Sequence, residues 1–129
     1  MTDPIFVALG AITLLLIKHF ICDFVLQTAR HVQFKGIYGH RAGIEHSAIH
    51  AVGTAPCLWL FGATPLAIVA ITAAEFVIHY HVDWLKEQIG FRAGWTAADK
   101  GFWVAIGADQ LVHNMTYVGI VAVLMRSRF

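Results

Sequence analysis

The stretch Glu75-Phe-Val-Ile-His79-Tyr-His-Val-Asp83 places three ionisable residues at intervals of four inside an apolar run. On a helix this spacing puts Glu75, His79 and Asp83 on one face, one turn above the next. The surrounding run, residues 66–89, is long enough to cross a bilayer as a helix. Because charged side chains are costly in lipid, this face is expected to meet other protein, water or a metal ion.

The composition of the chain is that of a membrane protein. Of its 129 residues, 58% are hydrophobic and 13% are charged, and the mean hydropathy is +0.67. Soluble domains are typically about 45–50% apolar and about 25% charged. The formal net charge of +1 argues against a nucleic-acid partner.

Four apolar runs fill most of the chain and predict an all-α fold: a polytopic membrane protein made of a four-helix transmembrane bundle. The predicted spans cover about residues 4–27, 45–61, 65–88 and 101–125 of a single domain, 1–129. The connections on one side carry Arg30, Lys35, Arg41, Lys86, Arg92 and Lys100, whereas the other side carries only Arg126 and Arg128. The positive-inside rule then predicts a multi-pass protein of the cytoplasmic (inner) membrane with both termini outside.

Each predicted span contributes two ionisable residues that lie four positions apart. Alternating up-and-down helices, at about 1.5 Å per residue, bring these pairs into one layer about 10 Å thick in the cytoplasmic half. The pairs are His19 and Asp23, His46 and His50, His79 and Asp83, and Asp109 and His113.

Five imidazoles and three carboxylates that converge inside a bundle favour a site for a divalent metal. Zinc is expected first, with iron or manganese as alternatives. Eight groups exceed the needs of one tetrahedral ion, so either two ions bind or some carboxylates orient the ligating imidazoles.

Three other interpretations of the polar layer remain open. Polar pairs also hold membrane helices together, in which case the protein is purely structural. Two of the histidines could hold a haem, although haem gives no reason for the three aspartates. A proton or metal-ion transporter would use the same His and Asp residues as its pathway.

Lys18 and Glu75 lie about one turn deeper than this layer, and we expect them to pair and to neutralise each other. Glu75 is also a candidate general base, as a glutamate outside the metal ligands. Gln110, with Gln27 and Asn114, is a candidate to orient water or substrate. Lys18, Glu75 and Gln110 are therefore the candidate catalytic residues.

The basic first loop carries Arg30, Lys35, His40 and Arg41, which could bind the headgroup of an anionic lipid. Together these features predict a metal-dependent hydrolase that acts on a phosphate- or acyl-bearing lipid or lipid-linked substrate. Membrane lipid is the expected partner. So small a bundle also suggests a homodimer, although no GxxxG face decides this.

Four motifs resemble those of the bacterial membrane-protein family called domain of unknown function 3307. They are His19-Phe-Ile-Cys-Asp23-Phe-Val-Leu-Gln27, His46-Ser-Ala-Ile-His50, His79-Tyr-His-Val-Asp83-Trp-Leu-Lys86 and Asp109-Gln-Leu-Val-His113. The resemblance implies a polytopic bacterial membrane protein and supplies no activity.

A second, local resemblance concerns the start of the second span. The stretch His40-Arg-Ala-Gly-Ile-Glu45-His46-Ser is similar to the His-Arg-Gly-x-Thr-His-Ser motif of bacterial membrane proteins predicted to be metal-dependent hydrolases. Ala42-Gly43 stands in place of the single Gly, and Glu45 in place of the Thr.

Overall fold

The computed structural model describes residues 3–128, and the backbone alone of residue 128. The long helices are α1 (Pro4–Phe20), α3 (Arg41–Leu60), α4 (Pro65–Ala93) and α5 (Lys100–Arg128), and a short helix, α2 (Ala29–Phe34), precedes α3. A π-helical turn, Ile21–Val25, extends α1. The predicted all-α class is confirmed, since residues 3–128 contain no strand.

The four long helices form a closed arrangement in which α1 packs against α3 and α5, and α4 packs against the same two helices. Local sequence explains several helix starts. Asp3 accepts a hydrogen bond from the Ile5 amide ahead of Pro4, and Thr64 accepts one from the Ala67 amide ahead of Pro65. Gly94, at φ 65°, ends α4 in the left-handed conformation that glycine adopts without strain.

The connection between the first two predicted spans, residues 28–44, contains the short helix α2 and the first turn of α3. Thr28 and His31 form a reciprocal capping box that starts α2. α3 begins at Arg41, four residues before the predicted span, because the His40 ring accepts a hydrogen bond from the Ala42 amide and caps it. A hydropathy profile does not detect side-chain caps of this kind, because it reports only the apolar run.

Polar and apolar side chains are distributed opposite to the pattern of a water-soluble protein. His46, His50 and Thr54 are fully buried, whereas Leu66 and Val52 are 79% and 72% exposed. Within the described residues, two helices are long and apolar enough to cross a membrane, Pro4–Val25 and Pro65–Ala93.

The interior of the bundle has two parts. One part is an apolar core in which Leu15, Leu58, Ile71 and Leu124 pack together. The other is a polar layer that contains the histidines and aspartates predicted to converge. Tyr117 lies where the two meet, since its ring belongs to the apolar core and its hydroxyl contacts the polar layer.

Candidate metal centre

Asp23 enters the polar layer from the π-helical turn that follows α1. Such turns widen a helix locally and often occur at functional sites. Asp23 Oδ1 lies 3.0 Å from His50 Nε2 and 3.2 Å from His46 Nε2, and Oδ2 lies 3.2 Å from His19 Nε2. One carboxylate thus connects histidines from α1 and α3.

Asp83 on α4 is the second carboxylate of the layer. Its Oδ1 lies 3.2 Å from His113 Nε2, while its Oδ2 lies 3.3 Å from His46 Nε2 and 3.7 Å from His79 Nε2. His46 therefore lies between the two aspartates, which come from different helices.

Two groups of ligand atoms are close enough to hold a metal ion, and within each the atoms lie within 4.8 Å of one another. Both groups include His79, whose ring is stacked between those of His50 and His113 at centroid distances of 3.8 and 4.0 Å. The first consists of Asp23, His46, His50 and His79, and the second of His79, Asp83 and His113.

The chemistry of these donor atoms fits a divalent cation. Nε2 of His46 and Nε2 of His79 are buried and have no partner in hydrogen-bonding geometry, although carboxylate oxygens lie nearby. A buried polar atom without a partner costs about 1–3 kcal/mol. Ligands about 2.0–2.1 Å from a tetrahedral zinc are about 3.4 Å from each other, and the aspartate oxygens here lie 3.0–3.7 Å from the imidazole nitrogens.

Two of the eight predicted ligands, His19 and Asp109, belong to neither of these groups of described residues. His19 lies against Asp23, with its Nε2 2.9 Å from Gln110 Oε1 and its Nδ1 3.0 Å from the Tyr117 hydroxyl. Asp109 Oδ1 is 3.4 Å from His113 Nε2. Both residues are therefore at the edge of the cluster, and their role as ligands stays a prediction.

Gln110 bridges the aspartates at this edge. Its side-chain amide donates to Asp23 Oδ2 at 3.1 Å and to Asp109 Oδ2 at 3.2 Å. The other two candidates for orienting water or substrate are Gln27 and Asn114. Gln27 donates to the backbone carbonyl of Asp23 at 3.2 Å, and Asn114 is only partly buried.

The expected pairing of Lys18 with Glu75 is confirmed. Lys18 Nζ donates to Glu75 Oε1 at 2.7 Å, to the Tyr117 hydroxyl at 3.0 Å and to the carbonyl of His50 at 3.2 Å. Gly53 makes room for the lysine stem, because a Cβ there would lie 3.1 Å from it. The pair neutralises two buried charges beneath the candidate ligands.

The four residues predicted to bind a headgroup lie in different surroundings. Lys35 is buried, and its Nζ donates to Asp83 Oδ2 at 3.0 Å, so it belongs to the polar layer. Arg30 and Arg41 are exposed, and both pair with Glu45. His40 caps α3 and stacks on a neighbouring phenylalanine.

Sequence reasoning missed two residues of this region. Tyr117 contacts Lys18, His19 and His50 through its hydroxyl, and it continues the spacing of Asp109 and His113 by four more residues. Extending that period would have found it. His31, which is not among the predicted site residues, is buried with its ring 5.7 Å from that of His46, and this burial lowers its pKa.

The comparisons with known proteins identify a family but no activity. A family model described as "Protein of unknown function (DUF3307)" matches residues 11–128. No curated protein and no solved structure matches the chain.

Proposed function

This chain belongs to the DUF3307 family of proteins of unknown function, and from its side-chain cluster we propose that it is a metal-dependent hydrolase embedded in a membrane. Its substrate would be a phosphate- or acyl-bearing lipid or lipid-linked molecule. The observation that carries the proposal is the pair of overlapping His and Asp groups, with buried imidazole nitrogens that lack hydrogen-bond partners.

The distribution of side chains supports a four-helix transmembrane bundle in the cytoplasmic membrane. Exposed Leu66, Val52 and Phe6 would face lipid, while His46 and His50 are shielded from it. The loop charges then favour both termini outside and the polar layer in the cytoplasmic half. Within residues 3–128, α1 with its π-helical turn and α4 are long and apolar enough to cross a membrane, whereas interior polar residues lower the mean hydropathy of α3 and α5.

One or two ions, zinc before iron or manganese, fit the donor set. A divalent ion bound there would polarise a substrate oxygen and lower the pKa of a bound water towards about 7. Asp23 and Asp83 each contact two or more imidazoles, so they would fix the orientation of those rings whether or not they ligate.

The residues at the edge of the cluster would assist the reaction. In hydrolysis the oxygen of water forms a bond to phosphorus or to the acyl carbon, and the ester oxygen leaves with its bonding electrons and takes up a proton. Asp109 is suited to pass on that proton, since its Oδ1 is free of a hydrogen bond. Gln110 would position water or substrate beside it. Glu75 is tied to Lys18, so we assign it a supporting role.

Transport through the same cluster is less well supported. A transporter needs access from both faces, whereas the apolar core of Leu15, Leu58, Ile71 and Leu124 closes one end of the bundle. A haem is also less suitable, because the rings of His50, His79 and His113 stack directly on each other and leave no slot between them.

The test uses full-length protein purified in detergent without chelator, with elemental analysis and an assay of lysophosphatidic acid and a monoacylglycerol. We expect at least one equivalent of metal, and release of phosphate or fatty acid that a chelator abolishes. His79→Ala should lose metal and lower the rate by at least about a hundredfold, because even outer partners of a ligand contribute 10–100-fold.

His81→Ala is the matched control, because His81 is an exposed histidine on the same helix. It should retain both metal and activity. Metal-free wild-type protein, or equal metal in the two variants, would overturn the metal centre. If the protein binds metal but hydrolyses neither substrate, the proposed hydrolase activity is overturned.

A further inference from the structure

A cavity of about 680 Å³ opens beside the candidate metal centre. It lies between the π-helical turn, α2, the end of α4 and the start of α5. Asp23, Asp109 and Gln110 form part of its wall, so the cavity reaches the cluster itself. Its volume is in the range of ordinary small-molecule sites.

The most buried residues of this lining are charged, whereas its most exposed residues are aromatic. At the inner end, Asp109 and Lys35 are each only 6% exposed. At the outer end, Phe91 is 85% exposed and Trp95 is 38% exposed. A ligand that fills the cavity therefore needs a polar head inside and an apolar portion towards the surface.

The inner end is suited to an anionic head once metal is bound. Asp23, Asp109 and Glu87 line the cavity, and Asp83 contacts Lys35 behind it, so four carboxylates stand against two lysines, Lys35 and Lys86. One divalent ion would neutralise this excess of two negative charges, and two ions would reverse it.

Lys86 is the residue that distinguishes a phosphate from a neutral ester. Its Nζ contacts Glu87 Oε1 at 3.0 Å, which leaves two of its three donors for a ligand. A phosphate offers several charged oxygens to such donors, whereas a neutral acyl ester offers none. The cavity thus complements a phosphate better than a carboxylic ester.

We infer that this cavity binds a phosphate ester that carries one long apolar chain. The phosphate meets Lys86 and Lys35 beside the metal centre, and the chain runs past Phe102 and Trp95 along the exposed apolar part of the cavity. The inference rests on the proposed metal centre and narrows its substrate class from phosphate- or acyl-bearing lipids to the former. It also assigns Lys86 as a binding residue.

Native mass spectrometry of the full chain tests this, because one spectrum counts both bound metal ions and bound ligand. The probes are dodecylphosphonate, whose carbon–phosphorus bond is not hydrolysed, and inorganic phosphate. We expect metal-loaded wild-type protein to bind dodecylphosphonate about tenfold or more tightly than inorganic phosphate, because only the former fills the apolar part.

The first pair of variants tests the chain-binding part. Gly90 lines the cavity and a Cβ there meets nothing within 4 Å, so Gly90→Leu adds bulk to the open space. Gly107→Leu is the matched control, since Gly107 has equally free surroundings on α5 outside the cavity. We expect Gly90→Leu to weaken the binding of dodecylphosphonate about tenfold and to leave the binding of inorganic phosphate unchanged. Ala105→Leu, from the opposite wall, provides a second route to the same result.

The second pair tests the head. Lys86→Gln should weaken both probes by about tenfold or more, and Lys100→Gln, which lies outside the cavity, should weaken neither. The inference would be overturned if wild-type protein bound the two probes with equal affinity. It would also be overturned if Gly90→Leu and Gly107→Leu, both with full metal content, changed the affinity for dodecylphosphonate equally. Neither outcome would contradict the proposed metal centre. If spectra of wild-type protein show no bound metal, the proposed metal centre is overturned, and the inference that rests on it is overturned as well.

Discussion

Leu15, Leu58 and Leu124 fill one part of the bundle, and His50, His79 and Asp83 fill the other, although α3 contributes to both. The apolar part is held by packing alone, whose contacts are individually weak and interchangeable. The polar part contains buried charges that are costly and must each be matched by a partner or an ion. A bundle that needed only stability would not require the polar part, which is why we assign the function to it.

The largest loss of stability is expected from Lys18→Met, a change in the polar part. It leaves Glu75, only 2% exposed, without its partner at 2.7 Å, and breaking such a buried pair costs about 3–5 kcal/mol. The free energy of unfolding in mixed micelles measures this.

The double variant Lys18→Met with Glu75→Gln is the control, because it leaves no unpaired charge and should recover most of the loss. Exchanging the two residues should likewise preserve folding. If the double variant is as unstable as Lys18→Met alone, the pairing of charges is not what the lysine contributes.

A change in the apolar part should affect stability only. Leu58 is 1% exposed, and Leu58→Ala leaves a cavity that should cost about 2 kcal/mol or more. We expect the metal content per folded molecule to remain that of wild type, as measured by elemental analysis. Loss of metal in this variant would show that the two parts are not independent.

The smallest effect of the three on stability is expected at the boundary between the parts. Tyr117→Phe keeps the ring in the apolar core and removes the hydroxyl that contacts His19, His50 and Lys18. Because outer hydrogen-bond partners tune ligand orientation, metal affinity should fall by about 10–100-fold with little change in stability.

Competition with a metal chelator measures that affinity. Thr116→Val is the matched control, because Thr116 is one position away and its hydroxyl donates to the backbone carbonyl of Val112 in its own helix, so this variant should retain wild-type affinity. An unchanged affinity in Tyr117→Phe would mean that the tyrosine only packs.

Much of the candidate site could be predicted from residue spacing. The interval of four in His46–His50 and in His79–Asp83 assigns each pair to one face of its helix, and the alternation of spans puts the pairs at one depth. In the structure, Nε2 of His46, His50 and His79 lies 3.0–3.7 Å from a carboxylate oxygen of Asp23 or Asp83. The same reasoning correctly paired Lys18 with Glu75, because both lie one turn deeper.

The sequence by itself determined the helical class and the polar face of each long helix, because helical periodicity and hydropathy are local properties of the chain. Only the tertiary structure decided that Lys35 turns inward to Asp83 and that His79 is common to both ligand groups. It also decided that a cavity opens beside Asp109. These outcomes depend on the orientation of each helix about its own axis and on the path of the connection that carries Lys35. Both are set by packing between segments that are distant in sequence.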